Sequence, residues 1–158
     1  MTKQISDLHV NPSDETIHFG PIAIRFLITA EDSGGSVAVF EGTVPGGQRL
    51  AAPPHSHDSY EETVYVTGGI LTFTVDGKEI DIGPGQALCI PRGAIHWFDN
   101  NGIEDVKAVC AVTPAALSPE YFREAAELIN AAAGGQPDRT KMGEVMRRHG
   151  LTPAPSAS

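Results

Sequence analysis

Apolar and polar positions alternate with a period of two through most of the first 113 residues. That spacing puts successive side chains on opposite faces of a strand. It predicts strands over Thr16–Gly20, Ile22–Ala30, Ser36–Val44, Leu50–His57, Glu61–Thr67 and Ile70–Val75. Further strands are expected over Lys78–Ile82, Gln86–Ile90, Ile95–Asp99 and Asp105–Thr113. Gly/Pro/Asn/Asp clusters separate them, and Asp76-Gly77 is a hairpin signal. Glu31–Gly35 reads as a turn. Strands this short, with turns this regular, predict an all-β closed barrel or jelly roll.

The pattern changes after Pro114. Ala, Glu and Arg replace Val, Thr and Gly, and the apolar period lengthens to that of a helix. Ser118 suits an N-cap and Pro119 the first helical position. Tyr121, Phe122, Ala125, Leu128, Ile129 and Ala132 form one apolar stripe, and Gly134-Gly135 stops the helix. Asp138 can cap a second helix that turns Met142, Val145 and Met146 inward and ends at Gly150. The expected organisation is a barrel with N-terminal strands over 1–113, a helical extension over 114–150 and a disordered Pro/Ala/Ser tail over 151–158. Residues 1–15 read as a polar arm, with His9 exposed in it.

Composition narrows the function. The 158-residue chain carries a formal net charge of -9. No Lys/Arg cluster is present, which argues against nucleic-acid binding. No apolar run has the length of a membrane helix and MTKQISDLHV lacks the apolar core of a signal peptide, so the expectation is no membrane partner and a cytoplasmic location. Cys89 and Cys110 sit in apolar strand-like runs and read as buried free thiols. The strands IHF and IAIRFLIT carry more apolar side chains than one edge of a small barrel buries, which predicts a homodimer. His18 alternates with Ile17 and Phe19 and should face solvent or a subunit partner.

Candidate chemistry lies in Pro53–Asn100. His55 and His57 are two apart and face the same way on a strand. In the next run, Glu62 shares its face with Val64 and Val66, so its carboxylate points inward, where it needs a pairing cation or a metal. His96 follows a Pro-Arg-Gly turn. Three imidazoles and one carboxylate suit a divalent transition ion such as iron, nickel, manganese, copper or zinc.

These residues resemble the two signature motifs of the cupin family. The first matches as His55, His57, Glu62 and Gly69. Its opening glycine would be Gly47, which is two residues too far from His55. The second matches without a gap as Gly85, Pro91, Gly93, His96 and Asn100. The resemblance covers roughly residues 36 to 113. It implies a cupin β-barrel that binds one metal ion per chain through His55, His57, Glu62 and His96, and it too implies dimers. The segment TPAALSPEYFREAAELI is similar to the C-terminal part of quercetin dioxygenase-like cupins. That similarity implies a metal-dependent dioxygenase acting on a small aromatic or enolisable substrate, flavonol-like molecules included. A non-oxidative metal lyase or isomerase, and a ligand-binding cupin without turnover, stay open beside it. Glu62 is the candidate catalytic base. Tyr60, Val64, Val66 and Phe98 are the candidate pocket residues, with Tyr65 a further neighbour. Metal affinity is expected to fall as pH drops through the imidazole range.

Overall fold

The computed structural model describes residues 14–155 together with Leu8 and Val10. His9 and most of the arm expected around it lie outside the described residues. The period-two pattern is realised as ten strands before residue 114: β1 (Ile17–Phe19), β2 (Ile22–Ile28), β3 (Ala38–Val44), β4 (His55–His57), β5 (Glu61–Gly68), β6 (Leu71–Val75), β7 (Lys78–Ile82), β8 (Ala87–Ile90), β9 (His96–Asp99) and β10 (Val106–Thr113). The turn expected at Glu31–Gly35 holds a one-turn helix, α1 (Ala30–Ser33). It forms because the Asp32 carboxylate accepts from the Thr29 backbone N–H at 3.0 Å, satisfying a free donor at the helix start.

All strand pairs are antiparallel. One sheet runs β1-β2-β3-β10-β5-β8. The second contains β4-β9-β6-β7 and, beside β4, a further strand, β11 (Leu151–Pro153). The inward faces supply the core: Ile22, Ile24 and Phe26 from β2, Ala38 and Phe40 from β3, Val64 and Val66 from β5, and Val106, Ala108, Cys110 and Val112 from β10. At the β6–β7 hairpin, Asp76 (φ 47°) and Gly77 (φ 80°) both take left-handed backbone, the geometry that matches strand twist in a two-residue turn. That turn also reaches the next strand. Asp76 exchanges two hydrogen bonds with Ile95, which fixes the entry to β9 and so the place of His96.

Two helices follow, α2 (Pro119–Ala131) and α3 (Arg139–Arg148). Ser118 takes the N-cap place of α2, although its hydroxyl makes no capping hydrogen bond. Asp138 caps α3 by accepting from the Lys141 N–H. The apolar stripe of α2 lies against β1, and the Asn130 side chain clamps the β1–β2 turn, accepting from Gly20 N–H and donating to His18 C=O. Phe122 packs among Phe19, Phe26 and Phe40, with ring centroids 5.3–5.8 Å away.

This packing removes the reason given for a dimer. Ile17, Phe19, Ile22, Ile24 and Phe26 of the N-terminal strands are all buried within the single chain: α2 packs on β1, Phe122 meets Phe19 and Phe26, and Ile22 and Ile24 face the cavity. His18 is exposed, as its alternation required. Two expectations are corrected. The start of the tail is ordered: Leu151–Pro153 pairs with His57–His55, and Ala154 N–H donates to Pro54 C=O. Cys89 is exposed, since β8 turns Leu88 and Ile90 toward the core and Cys89 the other way. Among the described residues, no helix is long and apolar enough to cross a membrane.

Candidate metal centre

The two histidine strands lie side by side, with His55 opposite His96 in the β4–β9 pair. Period-two alternation turns both His55 and His57 inward, and all three imidazoles are buried. One nitrogen from each lies within 4.8 Å of the others, so the three histidines could hold a metal ion. Two rings are oriented by the backbone two residues earlier. His55 Nδ1 lies 2.8 Å from Pro53 C=O, and His96 Nδ1 lies 2.9 Å from Ala94 C=O. A carbonyl only accepts, so each Nδ1 carries the proton and each Nε2 keeps its lone pair for a cation. His57 is held differently. Its Nδ1 is buried without a partner, and its ring stacks on Tyr60 at 4.5 Å and 20°. The β8–β9 turn adds a tether, Gly93 N–H to His57 C=O at 2.8 Å.

Glu62 faces this cluster from the other sheet. Its Oε2 stands 3.7 Å from His57 Nε2 and 3.9 Å from His96 Nε2. Burial raises its pKa to about 7, and a hydrogen bond from the Cys110 thiol draws it partly back. Burial and the neighbouring imidazoles depress His55 to about 3 and His57 to about 2. His96 is lowered by burial, against the opposing pull of its bond to Ala94 and of Asp76. The chemistry of this donor set fits a divalent cation. Neutral imidazoles present free lone pairs, and a largely enclosed carboxylate hydrogen-bonded to a thiol gains a counter-charge.

The cluster closes one end of a cavity of about 80 Å³ between the sheets. Val64 and Phe98 line it. Tyr60 and Val66 are fully buried but lie outside its wall, Tyr60 because it sits behind His57 as a stacking partner. Tyr65 is exposed on the outer face of β5. Sequence reasoning missed several wall residues. Cys110 belongs to the signal already used, the inward face of β10. Leu117, Tyr121, Phe122 and Leu151 come from the C-terminal extension, and only the helical stripe marked two of them as inward.

The signature residues outside the cluster are structural. Asn100 is buried; its side-chain amide donates to Val44 C=O and Glu104 C=O and accepts from Gly102 N–H. Gly69 has φ 78°, and a Cβ there would come within 2.9 Å of Asp105 C=O, so no larger residue fits.

Comparison with known proteins agrees with this architecture. Residues 40–112 match the Cupin domain family. The chain is 28% identical over 99 residues to quercetin 2,3-dioxygenase of Bacillus subtilis, a match spanning 63% of this chain but only 28% of that protein. It is 32% identical over 99 residues to Protein SchB of Streptomyces halstedii, spanning 61% of this chain and 70% of that one. Among solved structures, a predicted oxalate decarboxylase from Thermotoga maritima superposes with a TM-score of 0.58 at 20% identity, covering 72% of this chain and 99% of that one. The buried histidine cluster between two antiparallel sheets, both signature motifs and these matches agree: the chain belongs to the cupin superfamily.

Proposed function

We propose that this chain is a metal-dependent dioxygenase acting on a small enolisable or aromatic molecule. One observation carries the reading. Three neutral imidazoles and the Glu62 carboxylate converge on one cavity whose wall is mostly apolar. In this reading His55, His57, His96 and Glu62 hold one divalent ion. Such an ion supplies a Lewis-acidic centre with positions left open for an oxygen-bearing substrate. Glu62 Oε2, 3.7 Å from His57 Nε2 and 3.9 Å from His96 Nε2, is the carboxylate oxygen that could accept the proton of an enol or hydroxyl in this reading. The apolar wall excludes water and selects the carbon skeleton.

The cavity narrows the substrate class. At about 80 Å³ it is well below the roughly 300–1,000 Å³ of sites that take drug-sized ligands. A flavonol is too large for it, whereas a diketone or a single-ring catechol is of the right order. The same raised carboxylate favours a second reading, a non-oxidative lyase or isomerase in which Glu62 only moves a proton.

The test starts with elemental analysis of protein purified without chelators, expected to show close to one transition-metal ion per chain. The protein is then reconstituted separately with iron, nickel, manganese and zinc. Oxygen uptake is measured with acetylacetone, catechol and a flavonol. Uptake with the small substrates and none with the flavonol is the expected result. Conversion of a carbonyl substrate without oxygen, and no uptake by any metal form, replaces the dioxygenase with the lyase or isomerase.

A further inference from the structure

We propose that Tyr121 is a substrate-binding residue of this same site: its hydroxyl, carried by the C-terminal helix α2, donates a hydrogen bond to an oxygen of a compact enolisable molecule held against Glu62 and the three histidines. The inference rests on the metal-centre reading above and adds to it a residue outside the segment that matches the Cupin domain family.

Three observations support it. Tyr121 forms part of the cavity wall and is 2% exposed. Its hydroxyl is buried with no hydrogen-bond partner, an arrangement that is unfavourable unless something else uses the donor. The third observation is the company it keeps. The wall is otherwise built from side chains such as Phe19, Ile24, Phe40, Phe73 and Phe98, so polar atoms are few: three imidazoles, the Glu62 carboxylate, the Cys110 thiol and this phenol. Burial, and after it the charge of Glu62, push the phenol above its usual pKa, so it is a neutral donor at physiological pH.

Tyr60 carries a similarly unpartnered hydroxyl, yet its ring lies behind His57 and takes no part in the wall. Tyr121 therefore brings an unpartnered donor to the cavity wall, whereas Nδ1 of His55 and His96 is already spent on a backbone carbonyl and the ring of His57, whose Nδ1 is also unpartnered, is backed by Tyr60. A substrate oxygen is the complementary group. A cavity of about 80 Å³ restricts that substrate to roughly the size of a small diketone. The extension thus sets which oxygen-bearing molecule the barrel accepts.

The test compares the wild-type chain with Tyr121→Phe, both loaded with cobalt(II). Acetylacetone is titrated in, with binding followed by the visible absorption of cobalt and by calorimetry. Metal content and melting temperature are recorded for both proteins. The expected result is unchanged cobalt stoichiometry, an unchanged or higher melting temperature, and roughly 5- to 10-fold weaker binding of acetylacetone. Equal affinity in the two proteins, or no binding by either cobalt-loaded protein, overturns the role of Tyr121 while leaving the metal reading intact. A clear drop in melting temperature in Tyr121→Phe also overturns it, because the hydroxyl would then have a structural partner. Failure of the wild type to take up cobalt sinks the metal reading and this proposal with it.

Discussion

The histidine rings show how differently single residues are held in one cluster. His55 and His96 are each pinned through Nδ1 to a carbonyl of their own strand entry, whereas His57 relies on a stacked Tyr60 ring. Truncating Tyr60 to Ala should therefore act twice. It removes a fully buried aromatic side chain, at a cost of roughly 3–5 kcal/mol, and frees the His57 ring, which should weaken metal retention. Tyr60→Phe keeps the stack and should retain the metal. Thermal unfolding and metal content of the two variants check this. His57→Ala should lose most bound metal outright; an unchanged metal content there would remove the assignment. Asn100 makes the opposite case. Asn100→Ala leaves the buried Val44 carbonyl and the part-buried Glu104 carbonyl without their donor and should cost roughly 1–3 kcal/mol, yet leave metal stoichiometry at the wild-type value.

At the scale of elements, the C-terminal segment completes the barrel in two ways. Strand β11 covers the edge of β4, the strand that carries two of the three histidines, and Leu151 is fully buried at the cavity. Asp58 N–H donates to Gly150 C=O at one end and Ala154 N–H to Pro54 C=O at the other, so both ends of the pairing are tied, and Thr152 Oγ1 donates to the Asp58 carboxylate as well. An uncovered edge presents unpaired backbone donors and acceptors. Deleting residues 151–158 should lower the melting temperature and weaken metal binding together, and Leu151→Ala should cost roughly 2–5 kcal/mol by itself. Wild-type metal affinity in the truncated chain would mean that β4 holds its histidines without help. Helix α2 plays the matching part on the other sheet, where Phe122 fills the space between Phe19, Phe26 and Phe40.

For the whole molecule, the buried titratable groups set a pH dependence that differs from the one ordinary imidazoles would give. The folded-state pKa values of His55 and His57, about 3 and about 2, lie below the unfolded value near 6.5. Between those limits the unfolded chain binds more protons, so stability is lost as pH falls from about 6.5. Glu62 opposes this: its folded value of about 7 exceeds the model-peptide range, so its contribution is present below about 4.5 and fades as pH rises through 7. Two or more imidazoles outweigh one carboxylate, and the chelator-treated protein should lose melting temperature steadily below pH 6. The group that competes with a metal near neutral pH is then Glu62 rather than a histidine. The difference in melting temperature between metal-loaded and chelated protein should widen from pH 5 to 8. A constant difference would show that Glu62 is no part of the metal's surroundings. Strand alternation, the hairpin at Asp76-Gly77 and the inward turn of His55, His57 and Glu62 were all legible in the sequence, because they follow from a local period and local turn chemistry. So was the burial of Tyr121 and Phe122, which a helical period marks. What only the tertiary structure decided depends on partners distant in the chain. The pairing of Leu151–Pro153 with β4 links residues 94 to 98 apart and leaves no trace in a Pro/Ala tail. The packing of α2 on β1, the placement of Tyr60 behind His57, and the size of the cavity likewise follow from how the two sheets and the extension close on one another, and no periodicity records that.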